Sequence, residues 1–346
     1  MIKINLYELD KHRNETTFRP FLLPEVQKLF QEVGIQFTNK GDSYDYAFVG
    51  QESIIDKSKS LEESVELGLE YVSKITGDYF ILDGQDSTSL IGTIDVFRDS
   101  NAKLFLKNTY LKDFDLYKKS WANGRVYWGE GNYSVPDIDE LKPKMKLTGC
   151  NWISTLHDQV RWYDFVKSED KQFDISCMFG YKSDTTHYEY GNPVNNFYEI
   201  HRKKLLDKCI NTKNKVVATA PNKKVDLQTY FNTMFQSKIV TSPFGYGEMN
   251  PRDVHSAMCS AVLLEPDMSH ISSKPFIYEE DETYISVKYD LSNLEEKIDY
   301  ILSDYDNIRE RLVNNMRKKY DEEIKPENLV LHFYNLLKNL DGVVNE

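Results

Sequence analysis

Residues 242–270 (SPFGYGEMNPRDVHSAMCSAVLLEPDMSH) contain the most concentrated group of side chains suited to binding an anion. Asn250 followed by a proline is typical of a helix start, with the asparagine as N-cap. Arg252 then falls in the first turn, where free backbone N–H groups and the positive end of the helix dipole attract anions. An arginine fork at this position favours binding of a diphosphate. The alternative is that Arg252 forms a surface ion pair with Glu248 or Asp253.

Two chain segments are expected to flank this helix start. Residues 243–247 (PFGYG) form a loop with two glycines, which let the backbone approach a ligand closely. After the helix, the apolar strand Ala261–Leu264 leads into residues 265–270 (EPDMSH). Ligands of open α/β sheets bind at the carboxyl ends of strands. We therefore expect residues 242–248 and 265–270 to line one crevice.

The composition excludes several classes of protein. The chain has 346 residues, with 43 Lys and Arg against 55 Asp and Glu, so its formal net charge is −12. Proteins that bind nucleic acids present a basic face to the phosphates, so a nucleic acid is not an expected partner. The mean hydropathy is −0.57. No apolar run approaches the roughly 20 residues of a membrane-spanning helix, so no transmembrane segment is expected.

The N-terminus and the cysteines predict a cytoplasmic protein. Ile2–Tyr7 alternates apolar and polar residues as a first β-strand does, and it lacks the charged start and apolar block of a signal peptide. The four cysteines (Cys150, Cys177, Cys209 and Cys259) are scattered and form no Cys-x-x-Cys pair. We interpret them as reduced, buried thiols, and no spacing among the cysteines and histidines matches a zinc site.

Short apolar strands alternate with amphipathic helices, which indicates parallel sheets covered by helices on both faces. The strands predicted in the first half are Ile2–Tyr7, 44–50, 78–83 and 102–106. A charged stretch at 167–171 (KSEDK) is interpreted as a linker, and the alternation restarts at Phe173. The sequence thus predicts an α/β protein with two tandem doubly wound domains, at residues 1–167 and 172–324, and a terminal helical segment at 325–346.

The second half resembles the nucleotide-sugar-binding half of GT-B fold glycosyltransferases of the group 1 type. The residues that carry the resemblance are Ser242 to Gly245, Gly247-Glu248, Arg252-Asp253, 257–261 and 266–270. Within that fold, the segment is more similar to the CgeB-like and exostosin-like families, which carry an Arg-x-x-Glu-Ala helix. The resemblance implies two Rossmann-like domains, an acceptor side in the first domain, and a terminal helix that crosses back onto it.

The resemblance departs from the pattern of retaining members of related families. Those members carry a Glu-x7-Glu element across this loop and helix. Here His255 stands at the second glutamate position, and Glu248 lacks the required spacing. The retaining mechanism is therefore not implied.

The resemblance also implies roles for residues on the donor side. Arg252 and the helix start would hold the donor diphosphate, with charged side chains instead of a metal stabilising the leaving group. Glu248 would bind hydroxyls of the ribose or the sugar. The residues expected along the nucleotide base are Ser242, Pro243, Phe244 and Gly245. The other implied donor contacts are Gly180, Lys182, Arg202, His255, Asp267, Met268, Ser269, His270 and Tyr284.

An enzyme that inverts the anomeric carbon needs a base to take the proton of the acceptor hydroxyl. Asp83 and Asp86 follow the apolar strand residues 78–82 in LDGQDS, and we expect them on a loop that faces the cleft. Two carboxylates so close together can perturb each other's pKa. The alternative is that Asp86 caps the next helix and Asp83 caps a turn. The weaker candidates for the base are His12, Glu130 and His157.

Two further sets of residues are interpreted without a catalytic role. The Asp-x-Asp triplets at 113–115 and 137–139 match the metal-binding motif of another transferase fold, but neither follows a convincing buried strand. We interpret both as solvated and predict no metal site. The pairs Tyr127-Trp128 and Trp162-Tyr163 are interpreted as core or interface residues, with stacking on a sugar as the alternative.

Together, the residues and the resemblance predict a metal-independent glycosyltransferase that needs no cofactor. It would move a sugar from a nucleoside-diphosphate sugar to a hydroxyl acceptor, with a glycan as the expected acceptor. Two alternatives stay open, because fold alone does not settle function. One is a nucleotide-sugar epimerase of the same fold, and the other is a non-catalytic protein that binds a sugar or a nucleotide.

Overall fold

The computed structural model describes residues 1–7, 15–38, 43–149, 170–182, 187–190, 192–194 and 197–339. Several residues singled out in the sequence lie outside this part of the chain, namely Cys150, His12, His157, Trp162-Tyr163 and most of the 167–171 linker. No helix in the described residues is both long enough and apolar enough to span a membrane. The cysteines Cys177, Cys209 and Cys259 are buried and free.

The first half is built on one parallel sheet. Its strands are β1 Ile2–Leu6, β2 Ile35–Thr38, β3 Tyr46–Gly50, β4 Tyr79–Asp83, β5 Leu104–Lys107, β6 Thr109–Leu111 and β7 Met145–Leu147. All but β6 join a six-stranded sheet in the order β2-β1-β3-β4-β5-β7. The helices are α1 Glu15–Leu22, α2 Pro24–Glu32, α3 Gln51–Ile54, α4 Leu61–Val72, α5 Thr93–Arg98 and α6 Ile138–Leu141.

The central strand β4 shows why this sheet is covered on both faces. All five residues of β4 are buried. Side chains alternate between the two faces of a strand. Tyr79 and Ile81 therefore join one apolar cluster, whereas Phe80 and Leu82 join the cluster on the opposite face. A nearly continuous apolar strand of this kind is typical of a parallel sheet between helical layers.

The second half repeats this architecture. Its strands are β8 Phe173–Cys177, β9 His187–Glu189, β10 Asn192–Val194, β11 Val216–Ala218, β12 Ser237–Thr241, β13 Val262–Pro266, β14 Ile271–Ser273 and β15 Ile285–Val287. Its helices are α7 Phe197–Ile210, α8 Leu227–Phe235, α9 Pro251–Met258, α10 Leu294–Ser303, α11 Tyr305–Lys319 and α12 Pro326–Lys338. Five of the strands form a parallel sheet in the order β11-β8-β12-β13-β15.

The strand order of the second sheet marks a binding position. The chain passes from β8 to β11 on one side and later returns to β12 on the other side of β8. In doubly wound sheets, ligands bind outside the carboxyl ends of the strands at such a switch point. Gly180 follows β8 and Ser242 follows β12, so both residues lie at the switch point.

Several contacts join the two halves, and three of them involve strands or helices outside the main sheets. The strands β6 and β14 pair in an antiparallel two-stranded sheet. In the β9–β10 hairpin, Tyr190 Oη donates a hydrogen bond to Ile91 O at 3.2 Å. The terminal helix α12 returns to the first sheet, where the Phe333 ring packs against Phe21 and Phe48. The predicted fold class, two Rossmann-like domains with a returning terminal helix, is confirmed. The domain bounds at 167, 172 and 325 stay predictions.

Candidate functional site

The helix start at Arg252 forms as the sequence predicts. The first turn of α9 is closed by Asn250, the N-cap, whose backbone N–H donates to Asp253 Oδ2 at 2.8 Å. Arg252 is partly exposed, and its Nη1 donates to Ser242 Oγ at 3.3 Å. The two carboxylates considered as surface partners of Arg252, Glu248 and Asp253, are both fully buried. The exposed ion pair that was the alternative interpretation is therefore not formed.

Arg202, on α7, lies close to Arg252. Its Nη1 donates to Gly180 O at 2.7 Å, and its Nε donates to Phe244 O at 3.1 Å. Burial lowers the pKa of Arg202 to about 10, with the neighbouring Arg252 charge contributing. A Cβ atom at position 245 would lie 2.8 Å from Arg202 Nη2, so Gly245 makes room for the guanidinium. Arg202 and Arg252, hereafter the arginine pair, form a cationic site at the switch point that suits a diphosphate.

Glu248 joins the two halves of the molecule. Thr88 donates to both of its carboxylate oxygens, from the backbone N at 3.0 Å and from Oγ1 at 2.6 Å. His270 Nε2 lies 3.7 Å from Glu248 Oε1. Burial by itself would raise the pKa of Glu248, but His270 and Thr88 more than offset this effect and lower it. A hydroxyl ligand would have to replace one of these contacts to bind the carboxylate.

Asp86, in the loop after β4, lies directly against the second half of the molecule. A Cβ atom at position 247 would lie 2.4 Å from the carbonyl carbon and oxygen of Asp86, so the close approach requires Gly247. The surface of Asp86 is exposed, although other protein groups lie close to its carboxyl group. The resulting desolvation raises the pKa of Asp86, and the nearby Glu248 charge raises it further. An acid that titrates above its usual range and remains accessible can exchange a proton with a ligand.

The comparisons with known proteins rest on structure. No family model matches the sequence, and a search of curated proteins found no significant match. A sucrose-phosphate synthase from Thermosynechococcus elongatus aligns over 99% of this chain and 100% of its own, with 12% identity and a TM-score of 0.51. The chain has the GT-B glycosyltransferase fold.

Two other solved structures align over nearly the whole chain with lower TM-scores. Anabaena HepE in complex with UDP-glucose aligns over 98% of this chain and 100% of its own, at 10% identity and a TM-score of 0.41. A glycosyltransferase from Rickettsia africae aligns over 98% of both chains, at 15% identity and a TM-score of 0.42.

The arginine pair and Asp86 come from different domains, and the Asp86 charge acts on Arg202. The region between them is hereafter called the GT-B cleft.

The two candidates for the base lie in opposite environments. Asp83 has no exposed surface. Lys107 Nζ lies 3.0 Å from Asp83 Oδ1, and Thr93 Oγ1 donates to Asp83 Oδ2 at 2.8 Å. Burial lowers the pKa of Lys107, and the attraction of Asp83 opposes this shift. Asp83 therefore belongs to a buried ion pair, and Asp86 is the aspartate that reaches the GT-B cleft.

Sequence analysis missed Arg125, a fully buried residue of the first domain. Its Nε donates to Tyr246 O at 3.0 Å, and its guanidinium carbon lies 4.4 Å from the ring of Trp128 and 4.3 Å from that of Tyr246. Glu189 pairs with Arg125 Nη1 at 3.3 Å and with Lys57 Nζ at 3.0 Å. These contacts hold the Tyr246 loop against the first domain. The sequence pattern that could have identified it is WANGRVYW, where a single arginine stands among aromatic residues on which a guanidinium can stack.

His255 lies inside the fold, although the sequence placed it among the donor residues. Its Nδ1 is 3.1 Å from Tyr230 Oη, and its ring packs against Phe231 at 4.9 Å between centroids. Burial lowers the pKa of His255 to about 3, with Arg252 contributing, so the imidazole is neutral at pH 7. With 3% of its surface exposed, His255 offers almost no surface to a ligand.

Of the other predicted donor residues, Asp267 and His270 line a cavity at the end of β13, whereas Met268 and Tyr284 are buried. Asp267 accepts from Ser269 N at 2.8 Å and from Ser269 Oγ at 2.9 Å, which forms a tight turn. Met268 N–H donates to Tyr284 Oη at 3.1 Å, so the Tyr284 side chain is hydrogen-bonded to the backbone of this turn. Lys182, after β8, is exposed.

The two Asp-x-Asp triplets are engaged in ion pairs. Lys118 Nζ lies 2.7 Å from one carboxylate of each triplet, Asp115 and Asp139. Arg98 Nε lies 2.6 Å from Asp137. In the part of the chain that the structure describes, no group of three or more His, Cys, Asp or Glu residues is placed to hold a metal ion.

The aromatic pair Tyr127-Trp128 contributes to the interface between the domains. Tyr127 Oη donates to Tyr246 O at 3.0 Å. The Trp128 ring stacks on Phe197 with 5.4 Å between centroids. Both rings therefore contact protein groups of the second domain, as the interpretation as core or interface residues expects.

A cavity of about 560 Å³ opens at the carboxyl ends of β3 and β4, in the first domain. It is lined by residues 51–57, Leu67, Gly68 and Gln85. Gln85, one of the lining residues, directly precedes Asp86 in the chain. Gln51 Oε1 is buried and has no hydrogen-bond partner among the described residues. A hydroxyl group in the cavity would satisfy it.

Proposed function

We propose that this protein is a glycosyltransferase that moves a sugar from a nucleoside-diphosphate sugar to a hydroxyl group without a metal ion. The observation that carries the proposal is the arginine pair at the switch point of the second sheet. Arg252 stands at a helix start, and Arg202 is held beside it by the carbonyls of Gly180 and Phe244. The two guanidinium groups repel each other, and a bound diphosphate would remove that repulsion.

The arginine pair has a defined task in this mechanism. The bond between the anomeric carbon and the diphosphate oxygen breaks, and the oxygen keeps the electron pair. Arg202, Arg252 and the free N–H groups at the start of α9 stabilise the negative charge that develops on it. A divalent cation performs the same task in metal-dependent transfer. We therefore propose that neither a metal nor another cofactor takes part.

Asp86 acts as the base on the opposite side of the GT-B cleft. The acceptor oxygen attacks the anomeric carbon, and its proton passes to the Asp86 carboxylate. A direct displacement of this kind inverts the anomeric carbon. The raised pKa of Asp86 supports this role, because a base works best when its pKa approaches the working pH. The buried ion pair with Lys107 leaves Asp83 without access to an acceptor.

We place the acceptor in the cavity beside Gln85. Its polar lining, which includes Gln51, Glu52, Ser53 and Gln85, suits a hydroxylated compound such as a glycan. An acceptor there would lie next to Asp86 and opposite the arginine pair. This arrangement brings the acceptor hydroxyl, the base and the leaving group to one cleft.

A thermal-shift screen tests the donor site. UDP, GDP, ADP and their common sugar conjugates are added with and without EDTA. We expect one nucleotide to raise the melting temperature by several degrees regardless of EDTA. Arg252→Ala should weaken its binding about 10- to 100-fold, whereas Arg311→Ala, at an exposed arginine on α11, should not. Unchanged donor affinity in Arg252→Ala would contradict the proposed site.

Turnover with the donor that binds separates the functions that this fold can host. Transfer that requires an acceptor supports the proposal. Conversion of the donor sugar without any acceptor would indicate an epimerase. Tight binding with no turnover toward any hydroxyl acceptor would indicate a binding protein.

A further inference from the structure

A chain of hydrogen bonds links Arg252 to the buried interior of the second domain. Arg252 Nη1 donates to Ser242 Oγ at 3.3 Å, and Ser242 Oγ donates to Asp253 Oδ1 at 2.6 Å. The second oxygen, Asp253 Oδ2, accepts from Asn250 N at 2.8 Å and from Tyr278 Oη at 2.7 Å. Ser242 and Asp253 have no exposed surface. Protein groups therefore set the direction of each hydrogen bond in this chain.

The direction of the hydrogen bond between Ser242 and Asp253 determines whether a proton or a lone pair of Ser242 faces Arg252. A hydroxyl has one proton to donate, and its lone pairs accept. Ser242 gives its proton to the Asp253 carboxylate, so a lone pair faces Arg252. An arginine can only donate. If the Ser242 proton pointed at Arg252 instead, two donors would face each other and the contact would be lost.

Asp253 and its neighbour Glu265 are two buried carboxyl groups of the second domain. Burial raises the pKa of Asp253 and of its neighbour Glu265. Three donors stabilise the Asp253 carboxylate, whereas both oxygens of Glu265 lack a hydrogen-bond partner among the described residues. The Asp253 charge raises the pKa of Glu265 further. Asp253 is therefore the carboxyl group that is held by three protein donors, and it is the one that contacts Ser242.

We infer that Asp253 is a positioning residue: by accepting the Ser242 proton, it turns a Ser242 lone pair toward Arg252 and aims the guanidinium at an anion bound at the helix start. The inference rests on the proposed function for the identity of that anion, a nucleoside diphosphate. Asp253 itself is buried beneath Ser242, so it affects the anion through Ser242 and Arg252.

Asp253→Asn tests this inference because it reverses one hydrogen bond and keeps the size of the side chain. The Oδ2 position must stay an oxygen to accept from Asn250 and Tyr278, so the amide nitrogen takes the Oδ1 position and donates to Ser242. The Ser242 proton is then displaced toward Arg252. We expect the calorimetric affinity for UDP, GDP or ADP, whichever binds the wild type, to fall about tenfold or more.

A double-mutant cycle with Ser242→Ala separates positioning from a general structural role. Without the Ser242 hydroxyl, Asp253→Asn should cause no further loss of affinity. Two losses that multiply would overturn the inference, as would wild-type affinity in Asp253→Asn alone. If Asp253→Asn does not fold, the same cycle is measured with Tyr278→Phe. That variant keeps Asp253 and removes one of its hydrogen-bond donors. We then expect about threefold weaker binding in the wild-type background and no change in Ser242→Ala.

Nitrogen-15 NMR of the arginine side chains in the ligand-free protein makes the test independent of the proposed function. Arg252→Lys identifies the Arg252 signal. We expect its Nη groups to rotate slowly in the wild type and faster in both Asp253→Asn and Ser242→Ala. Equal rotation in all three proteins would overturn the inference even if a nucleotide binds. A difference in rotation without any nucleotide binding would support the positioning role and contradict the proposed function instead.

Discussion

The loops after β12 and after β4 face each other across the GT-B cleft and use charge in opposite ways. On the β12 side, Arg202 and Arg252 lie together at the switch point, and the Arg252 charge contributes to the lowered pKa of Arg202. On the β4 side, one carboxylate, Asp83, is neutralised by Lys107, and the other, Asp86, reaches the gap. We call a charged side chain uncompensated when no opposite charge or set of hydrogen-bond donors neutralises it. The comparison indicates that uncompensated charges, and not the total number of charged residues, determine the chemistry of the cleft.

The same two loops are also in direct contact. Thr88 bonds both oxygens of Glu248, and Gly247 lies against the backbone of Asp86. Glu248 is thus compensated by its neighbours, as Asp83 is, although the two residues belong to different domains. The difference between compensated and uncompensated carboxylates leads to three predictions.

The largest effect is expected from removal of the uncompensated carboxylate. Asp86→Asn keeps the shape of the side chain but cannot take a proton, so kcat should fall about 10²- to 10⁴-fold while donor affinity is unchanged. Because the pKa of Asp86 is raised, wild-type kcat/KM should increase as the pH rises through that pKa. The variant should lose this increase. Steady-state rates measured over a range of pH check both statements.

The matched control is Asp115→Asn, at an exposed aspartate of an Asp-x-Asp triplet. It should leave the rate and its pH dependence unchanged. Near-normal turnover in Asp86→Asn would show that another residue is the base. The proposed difference between Asp83 and Asp86 would then be wrong.

Removal of the compensated carboxylate should affect stability instead of the chemical step. Asp83→Asn leaves the Lys107 charge buried without its partner, which costs about 3–5 kcal/mol of unfolding free energy. Urea unfolding measures this loss. Lys107→Met in the same chain should restore much of it, because both buried charges are then gone. If Asp83→Asn keeps full stability but loses turnover, Asp83 would be assigned as the base and Asp86 would lose that role.

The smallest effect is expected at the contact between the loops. Thr88→Val removes the hydroxyl bond to Glu248 Oε1 and keeps the backbone bond to Oε2. The loss should cost about 1–3 kcal/mol, because a buried carboxylate is left with one donor fewer. Thr233→Val is the control, since that exposed hydroxyl bonds only the carbonyl of Thr229 in its own helix. Equal melting temperatures for the two variants would show that Glu248 needs no compensation from Thr88.

Local sequence patterns predicted the parts of the fold that depend on local interactions. The apolar strand β4, which is buried throughout, and the helix start at Asn250 were both predicted, because each involves residues within a few positions of one another. The short strands β6, β9, β10 and β14 were not predicted. Each has three residues and is held by its partner strand, so its own sequence carries too little pattern.

The sequence alone determined the alternation of the longer strands and helices and the cation at the start of α9, because these features arise from periodicity and capping along the chain. Only the tertiary structure decided which carboxylates are compensated. Thr88 and Glu248 are 160 positions apart, and Arg125 lies 121 positions from the Tyr246 carbonyl that it bonds. The pKa of a carboxyl depends on such through-space neighbours and on burial, so two aspartates three positions apart can be alike in sequence and opposite in chemistry.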